Sequence, residues 1–133
     1  MNLSFKVNKD PEFIFDYLSD MQKFVSVHPV ITKIDDRGNG DYLVHETLKL
    51  VFVPLSFTYP VTISGNSKDK TILIKATVMK ITKIEMSFKI VGGEGFSTVD
   101  ESIQFTSPLP VKNSMQNIFR KQHALLFKNI SEL

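Results

Sequence analysis

Residues 111–133 read VKNSMQNIFRKQHALLFKNISEL. At about 100° per residue, Val111, Met115, Ile118, Phe119, Leu125, Leu126 and Leu133 fall within one arc. Lys112, Gln116, Arg120, Lys121 and Lys128 fall on the opposite side. The pattern predicts an amphipathic helix from about Val111 to Ile130, the longest in the chain. A helix with one broad apolar face must lay that face on another element.

The segments before it supply that element. Pro108 and Pro110 close a series of alternating stretches. Val99, Glu101, Ile103 and Phe105 share one face of a strand. So do Ile84, Met86, Phe88 and Ile90, and so do Ile72, Ile74, Ala76 and Val78. Leu55, Phe57, Tyr59, Val61 and Ile63 alternate as strictly, with Pro60 arguing for an edge or irregular strand. Tyr42, Val44, Glu46, Leu48 and Leu50 share a face after the tight turn Gly38-Asn39-Gly40, and Val30 to Asp35 precedes that turn as a strand. Leu3, Phe5 and Val7 alternate with polar residues as a first strand. Asp10-Pro11-Glu12 then opens a helix, with Asp10 as its N-cap and Phe13, Ile14, Tyr17 and Leu18 on one face. Ser19-Asp20-Met21-Gln22 reads as a capping box for a second short helix, which carries Phe24, Val25 and Val27 and stops at Pro29. The order is strand, two short helices, six antiparallel strands, one long helix. An antiparallel sheet with one apolar face needs a cover, and the last helix alone is long enough to lie across it. The fold class is therefore α+β, an antiparallel sheet of about seven strands with a long C-terminal helix lying across it.

Composition narrows the function. The 133 residues suit one domain, and no linker or repeat divides them. Net charge is 16 − 14 = +2, too small for binding dominated by a phosphate backbone. The aromatic residues sit at core spacing rather than among lysines, so no nucleic-acid partner is expected. Residues 68–89 hold six Lys against Asp69 and Glu85, which reads as solvated strand edges or as weak, transient attraction to an anionic membrane. Without Cys, disulfides and thiolate sites are excluded. Met1 to Lys6 does not resemble a signal peptide, and the longest apolar run, Leu50 to Leu55, is far too short to span a bilayer. A cytoplasmic protein, monomer or homodimer, is expected. Eleven Phe and five Met, with no Trp, suit either a plain core or the wall of an apolar pocket.

The whole order resembles the START-like superfamily (SRPBCC) with its helix-grip fold, as one domain over residues 1–133. The likeness rests on Asp10 through Leu18 as the first helix, on Asp20 through Phe24 to His28-Pro29 as the second helix and its exit, and on Ser107-Pro108-Leu109 leading into the long helix. That resemblance implies a curved sheet wrapped around the long C-terminal helix, with a cavity between the two. Members include lipid carriers, polyketide cyclases and dehydratases, quinone-binding proteins and chaperone co-activators, so the fold leaves function open. The Trp often found in the family's second helix is missing here, where His28 stands close by.

The residues that break the pattern are the candidate site. Gln122 falls in the middle of the apolar arc, where its amide either bonds the sheet or a buried water or orients a ligand. Asn129, near the same line, is expected at a frayed end. Glu46 and Glu101 interrupt apolar faces: if those faces line the interior, burial would raise their pKa and suit them to proton transfer, whereas the opposite register or a bulge would leave each acid in solvent. They are the candidate catalytic acids, Glu101 the better of the two. His28 is expected at the surface or at a pocket mouth, and His123 on the exposed basic side of the helix. His28, His45 and His123 show no metal-ligand spacing, so neither a metal nor a cofactor is expected. No nucleophile elbow, phosphate loop or dinucleotide fingerprint occurs, and Gly92-Gly93-Glu94-Gly95 is a hairpin turn. Phe24, Tyr42 and Tyr59 are candidate pocket walls, as are Met86, Phe88, Met115 and Phe119. Three functions fit: binding of a small apolar or amphipathic molecule such as a lipid, polyketide or quinone; a cyclase or dehydratase using a pocket carboxylate; or a filled-core module that binds protein.

Overall fold

The structure, a computed structural model, describes residues 1–50 and 53–133. Among these the chain runs β1 (Asn2–Val7), α1 (Pro11–Ser19), α2 (Met21–Val27), β2 (Ile31–Asp36), β3 (Asp41–Leu50), β4 (Val53–Asn66), β5 (Thr71–Val78), β6 (Thr82–Gly92), β7 (Ser97–Thr106) and α3 (Lys112–Ser131). The strands form one antiparallel sheet in the order β1-β7-β6-β5-β4-β3-β2, so the first strand lies beside the last. This is the expected helix-grip α+β architecture. The apolar run 50–55 includes Val51 and Phe52, which lie outside the described residues.

Register carries the apolar faces into alignment. Leu3 pairs with Glu101, Glu101 with Phe88, and Phe88 with Ile72. Ile103, Met86, Ile74 and Ile63 form the next row. Both rows face α3. Glu101 therefore stands in the inner face with Val99 and Ile103, which settles a register the alternation alone leaves open.

β4 explains its two prolines. It pairs with β3 from Val53 to Thr62, but with β5 only from Val61 to Asn66. Residues 53–60 therefore have a neighbour on one side only. Pro60 sits opposite Leu43 within the β3 ladder, so its ring nitrogen points to the other side, where no hydrogen bond is required.

Three local expectations need correction. Asp10 holds the N-cap position of α1, but its side chain accepts the N–H of Gly95 and so ties the β6–β7 hairpin to the helix start. Asp20 alone caps α2, accepting from the N–H groups of Gln22 at 3.0 Å and Lys23 at 3.3 Å, while Ser19 ends α1 with its hydroxyl on the carbonyl of Phe15. Asn129 is not frayed; its amide donates to the carbonyl of Val27 at 2.8 Å and joins α3 to the end of α2.

The two halves of α3 face different surroundings. The C-terminal half buries Leu126, Phe127 and Ile130 against β1 and α2, and Phe127 stacks 4.7 Å from Phe5. The N-terminal half presents Met115, Ile118 and Phe119, each only half-buried. Leu125 and Leu133, expected in the apolar arc, are 43% and 53% exposed. A single averaged arc misplaces them because the helix docks at one end and stands off the sheet at the other. The accessible surface of 8015 Å² exceeds the roughly 7,000 Å² usual for this mass, as a fold with open space beneath one helix should.

Leu126→Ala should therefore cost about 2–5 kcal/mol in urea unfolding, and Leu125→Ala no more than about 0.5 kcal/mol. Equal losses from the two would show that the helix packs on the arc read from the sequence.

Candidate functional site

The stand-off of α3 leaves a cavity of about 350 Å³ between its N-terminal half and the sheet. Its wall is almost wholly apolar: Phe24 of α2, Val44 of β3, Phe57 and Val61 of β4, Ile74 of β5, Met86 and Phe88 of β6, and Met115 and Phe119 of α3. A wider hollow of about 820 Å³ lies on the opposite face of the sheet. It is open and lined mainly by polar side chains such as Ser4, Ser87, Lys89 and Asp100, so it does not enclose a ligand.

The mouth of the cavity carries Leu55, Met79 and Leu109, all exposed. Met79 is 76% exposed, and it and Lys80 both hold left-handed backbone, with φ of 55° and 65°. The two residues form the tight β5–β6 hairpin turn, which needs left-handed backbone at successive positions and so holds Met79 out at the mouth.

Polar groups enter the cavity at two places. The first is Glu46 of β3, whose Oε2 accepts the Tyr59 hydroxyl at 2.6 Å, with the Gln122 amide of α3 on the same cavity wall. Burial pushes the Glu46 carboxyl above its ordinary value, against the opposing pull of these two donors. Burial, reinforced by the neighbouring carboxylate, also holds the Tyr59 phenol neutral, well above its usual range.

The second place is a pair of imidazoles. His123 is 3% exposed, not on the solvent side of α3 as its position in the basic arc suggested. Its Nδ1 lies 2.7 Å from Oε1 and 2.6 Å from Oε2 of Glu101. One N–H cannot direct itself at both oxygens, and Oε2 is left without a well-formed hydrogen bond. His28 lines the cavity, and its Nδ1 accepts the N–H groups of Val30 at 3.3 Å and Ile31 at 3.2 Å. The two rings meet edge to face, centres 6.4 Å apart.

The structure thus brings Phe24, His28, Glu46, Tyr59, Met86, Phe88, Met115, Phe119 and Gln122 around one space. Tyr42 is not among them; it lines a small separate hollow with Asp20, Gln22 and Ile34. Glu101 is not part of the cavity wall either, and its hydrogen bond to that wall runs through His123. The sequence signal for His123 was present: a carboxylate in the middle of a buried row demands a partner, and the helix crossing that row offers one. Among the described residues no three His, Asp or Glu side chains converge as a metal site would require, and no helix is long and apolar enough to cross a membrane.

No protein-family profile matches this chain, and no curated protein resembles it in sequence. Solved structures do resemble it. A START superfamily protein from Mycobacterium smegmatis superposes with a TM-score of 0.77 at 17% identity, over 99% of this chain and 96% of its own. The fold is the START-like helix-grip fold. The same START-like frame appears in the di-domain aromatase/cyclase BexL of the BE-7585A biosynthetic pathway, with a TM-score of 0.81 at 10% identity over 98% of this chain and 45% of that one. Ara h 8.0201 carries it too, at TM-score 0.73 and 18% identity over 99% of this chain and 94% of its own. At these identities the likeness is one of fold.

Burial, aided by neighbouring His123, lowers His28 from its usual 6.5 to about 3. The unfolded chain therefore takes up this proton first as pH falls, so the stability His28 contributes is complete above pH 6.5 and is lost towards pH 3. Glu46 acts oppositely: its raised carboxyl contributes stability below its usual 4.5 that is lost as pH rises through the folded value. Urea midpoints measured from pH 7 down to pH 5 should fall in the wild type and fall less in His28→Gln, which keeps an acceptor for the two backbone N–H groups. Parallel profiles would show that His28 titrates normally.

Proposed function

We propose that this protein binds a small, largely apolar molecule in the cavity beneath α3. The observation that carries this reading is an apolar space of about 350 Å³ with polar groups confined to two spots on its wall. Burying apolar area there contributes about 25 cal/mol per Å², and the few polar groups set orientation. Leu55, Met79 and Leu109, exposed around the mouth, suit the passage of an apolar molecule. The solved structures that share the frame include an aromatase/cyclase and a START superfamily protein, which agrees with a small-molecule role. A filled-core protein-interaction module does not account for the space.

A second reading, a cyclase- or dehydratase-type enzyme, is favoured by one observation. Glu46 faces the cavity with its carboxyl raised by burial, as a proton-transfer group needs. Glu101, the stronger candidate by sequence pattern, would act only through His123.

Native mass spectrometry of freshly purified protein should show an added mass that disappears on denaturation. The neutral probe N-phenyl-1-naphthylamine should brighten on mixing with the protein. Met86→Trp, which puts a bulkier side chain on the cavity wall, should weaken that binding by at least tenfold while the far-ultraviolet circular dichroism stays unchanged. A clean apo mass together with no probe binding would sink the proposal.

A further inference from the structure

We infer that His28 and His123 act as one recognition pair for a hydroxyl group on the bound molecule: His28 donates a hydrogen bond to its oxygen, and His123 accepts one from its O–H. The inference rests on the cavity reading and specifies the ligand's polar end.

Each ring's hydrogen bonds fix its tautomer. Nδ1 of His28 accepts two backbone N–H groups and so carries no proton. The neutral ring keeps its proton on Nε2, and a cation would forfeit both bonds, in accord with a value lowered to about 3. Nδ1 of His123 faces both oxygens of the Glu101 carboxylate and so holds the proton there, leaving a lone pair on Nε2. One cavity therefore holds a fixed donor and a fixed acceptor.

Both Nε2 atoms are available. Among the described residues neither has a hydrogen-bond partner, and the one buried side-chain polar atom without a partner is Glu101 Oε2. Each Nε2 therefore borders open space, which for the buried His123 is the cavity. One oxygen bonded to two nitrogens at about 2.8 Å holds them about 4.5–5 Å apart, which fits between rings whose centres are 6.4 Å apart.

The surroundings define the rest of the ligand. No Lys or Arg among the described residues lines the cavity, whereas Glu46 does and the Glu101 carboxylate stands behind His123. A carboxylate or phosphate would enter without a countercharge, at a high desolvation cost. Phe24 lies 5.2 Å from His28, and Phe119 lies 5.2 Å from His123, ring centre to ring centre. Flat faces on both sides of the pair suit an aromatic body. The chemical class is a neutral phenol, or an enol or alcohol on a flat apolar frame.

The test uses three fluorescent probes of one shape: 2-naphthol, 2-methoxynaphthalene and 2-naphthoate. The chain has no Trp, so the naphthalene emission is read against little background. In the wild type, 2-naphthol should bind at least tenfold more tightly than 2-methoxynaphthalene, and 2-naphthoate more weakly than both. Excited 2-naphthol is a strong acid, so the bound probe should emit as naphtholate, having passed its proton to a base beside it. Glu101→Gln frees His123 to change tautomer and should shrink the preference for 2-naphthol while leaving 2-methoxynaphthalene affinity unchanged. Equal binding of 2-naphthol and 2-methoxynaphthalene by the wild type overturns the hydroxyl pair and leaves cavity binding standing. Binding of none of the three overturns both. An undiminished preference in Glu101→Gln overturns the orienting role of Glu101.

Discussion

A carboxylate with no exposed surface must find its partner inside the fold. Glu101 is such a group, in the middle of the inner face of the sheet, and His123 of α3 is what it finds. An unpaired buried charge costs several kcal/mol, so the contact acts as a locating pin: the helix can rotate or slide only by leaving Glu101 alone. Apolar packing of Leu126, Phe127 and Ile130 supplies most of the attraction between helix and sheet, but packing tolerates small shifts. The imidazole–carboxylate contact tolerates very little. It lies where the docked half of α3 meets the half that stands away, and so it also sets where the cavity begins.

The cavity follows from that unequal docking. One end of α3 is bound to β1 and α2, with Asn129 bridging to Val27, while the other end spans the sheet as a roof. Beneath it, aromatic and aliphatic side chains form the wall, and polar chemistry is confined to the Glu46–Tyr59–Gln122 group and the two imidazoles. The stabilising pair and the ligand-facing pair share His123. Its Nδ1 serves the fold and its Nε2 serves the cavity, so neither role can change without the other.

Most of the fold was legible because alternation and helical periodicity depend on nearest neighbours in sequence. Seven strands and three helices came from those patterns, which also set Glu101 on one strand face with Val99 and Ile103 without deciding whether that face looks inward. The misreadings share one cause, that tertiary partners decide between local options. His123 lies off the apolar arc and looked solvent-facing until Glu101 is placed opposite it. Leu125 lies on the arc and is exposed, because the arc assumes one environment for the entire helix. Asp10 had the right residue type for a cap and bonded Gly95 instead, 85 residues away along the chain. Tyr42 shares a face with Val44 and Glu46 by alternation, yet sits where that face has passed beyond the cavity.

Pro60 has a wider effect than the hydrogen bond it lacks. The β4–β5 ladder runs from Asn66–Thr71 up to Val61–Ala76, and continuing it would set Pro60 against Thr77 and Tyr59 against Val78. Pro60 has no hydrogen to offer there, so the two strands part like a seam unpicked to one fixed stitch. Tyr59, Phe57 and Leu55 on one lip, and Val78 and Met79 on the other, border the gap that results. A single ring closure in the backbone thus determines how far the fabric of the sheet is cut, and with it the width of the opening through which anything reaches the interior.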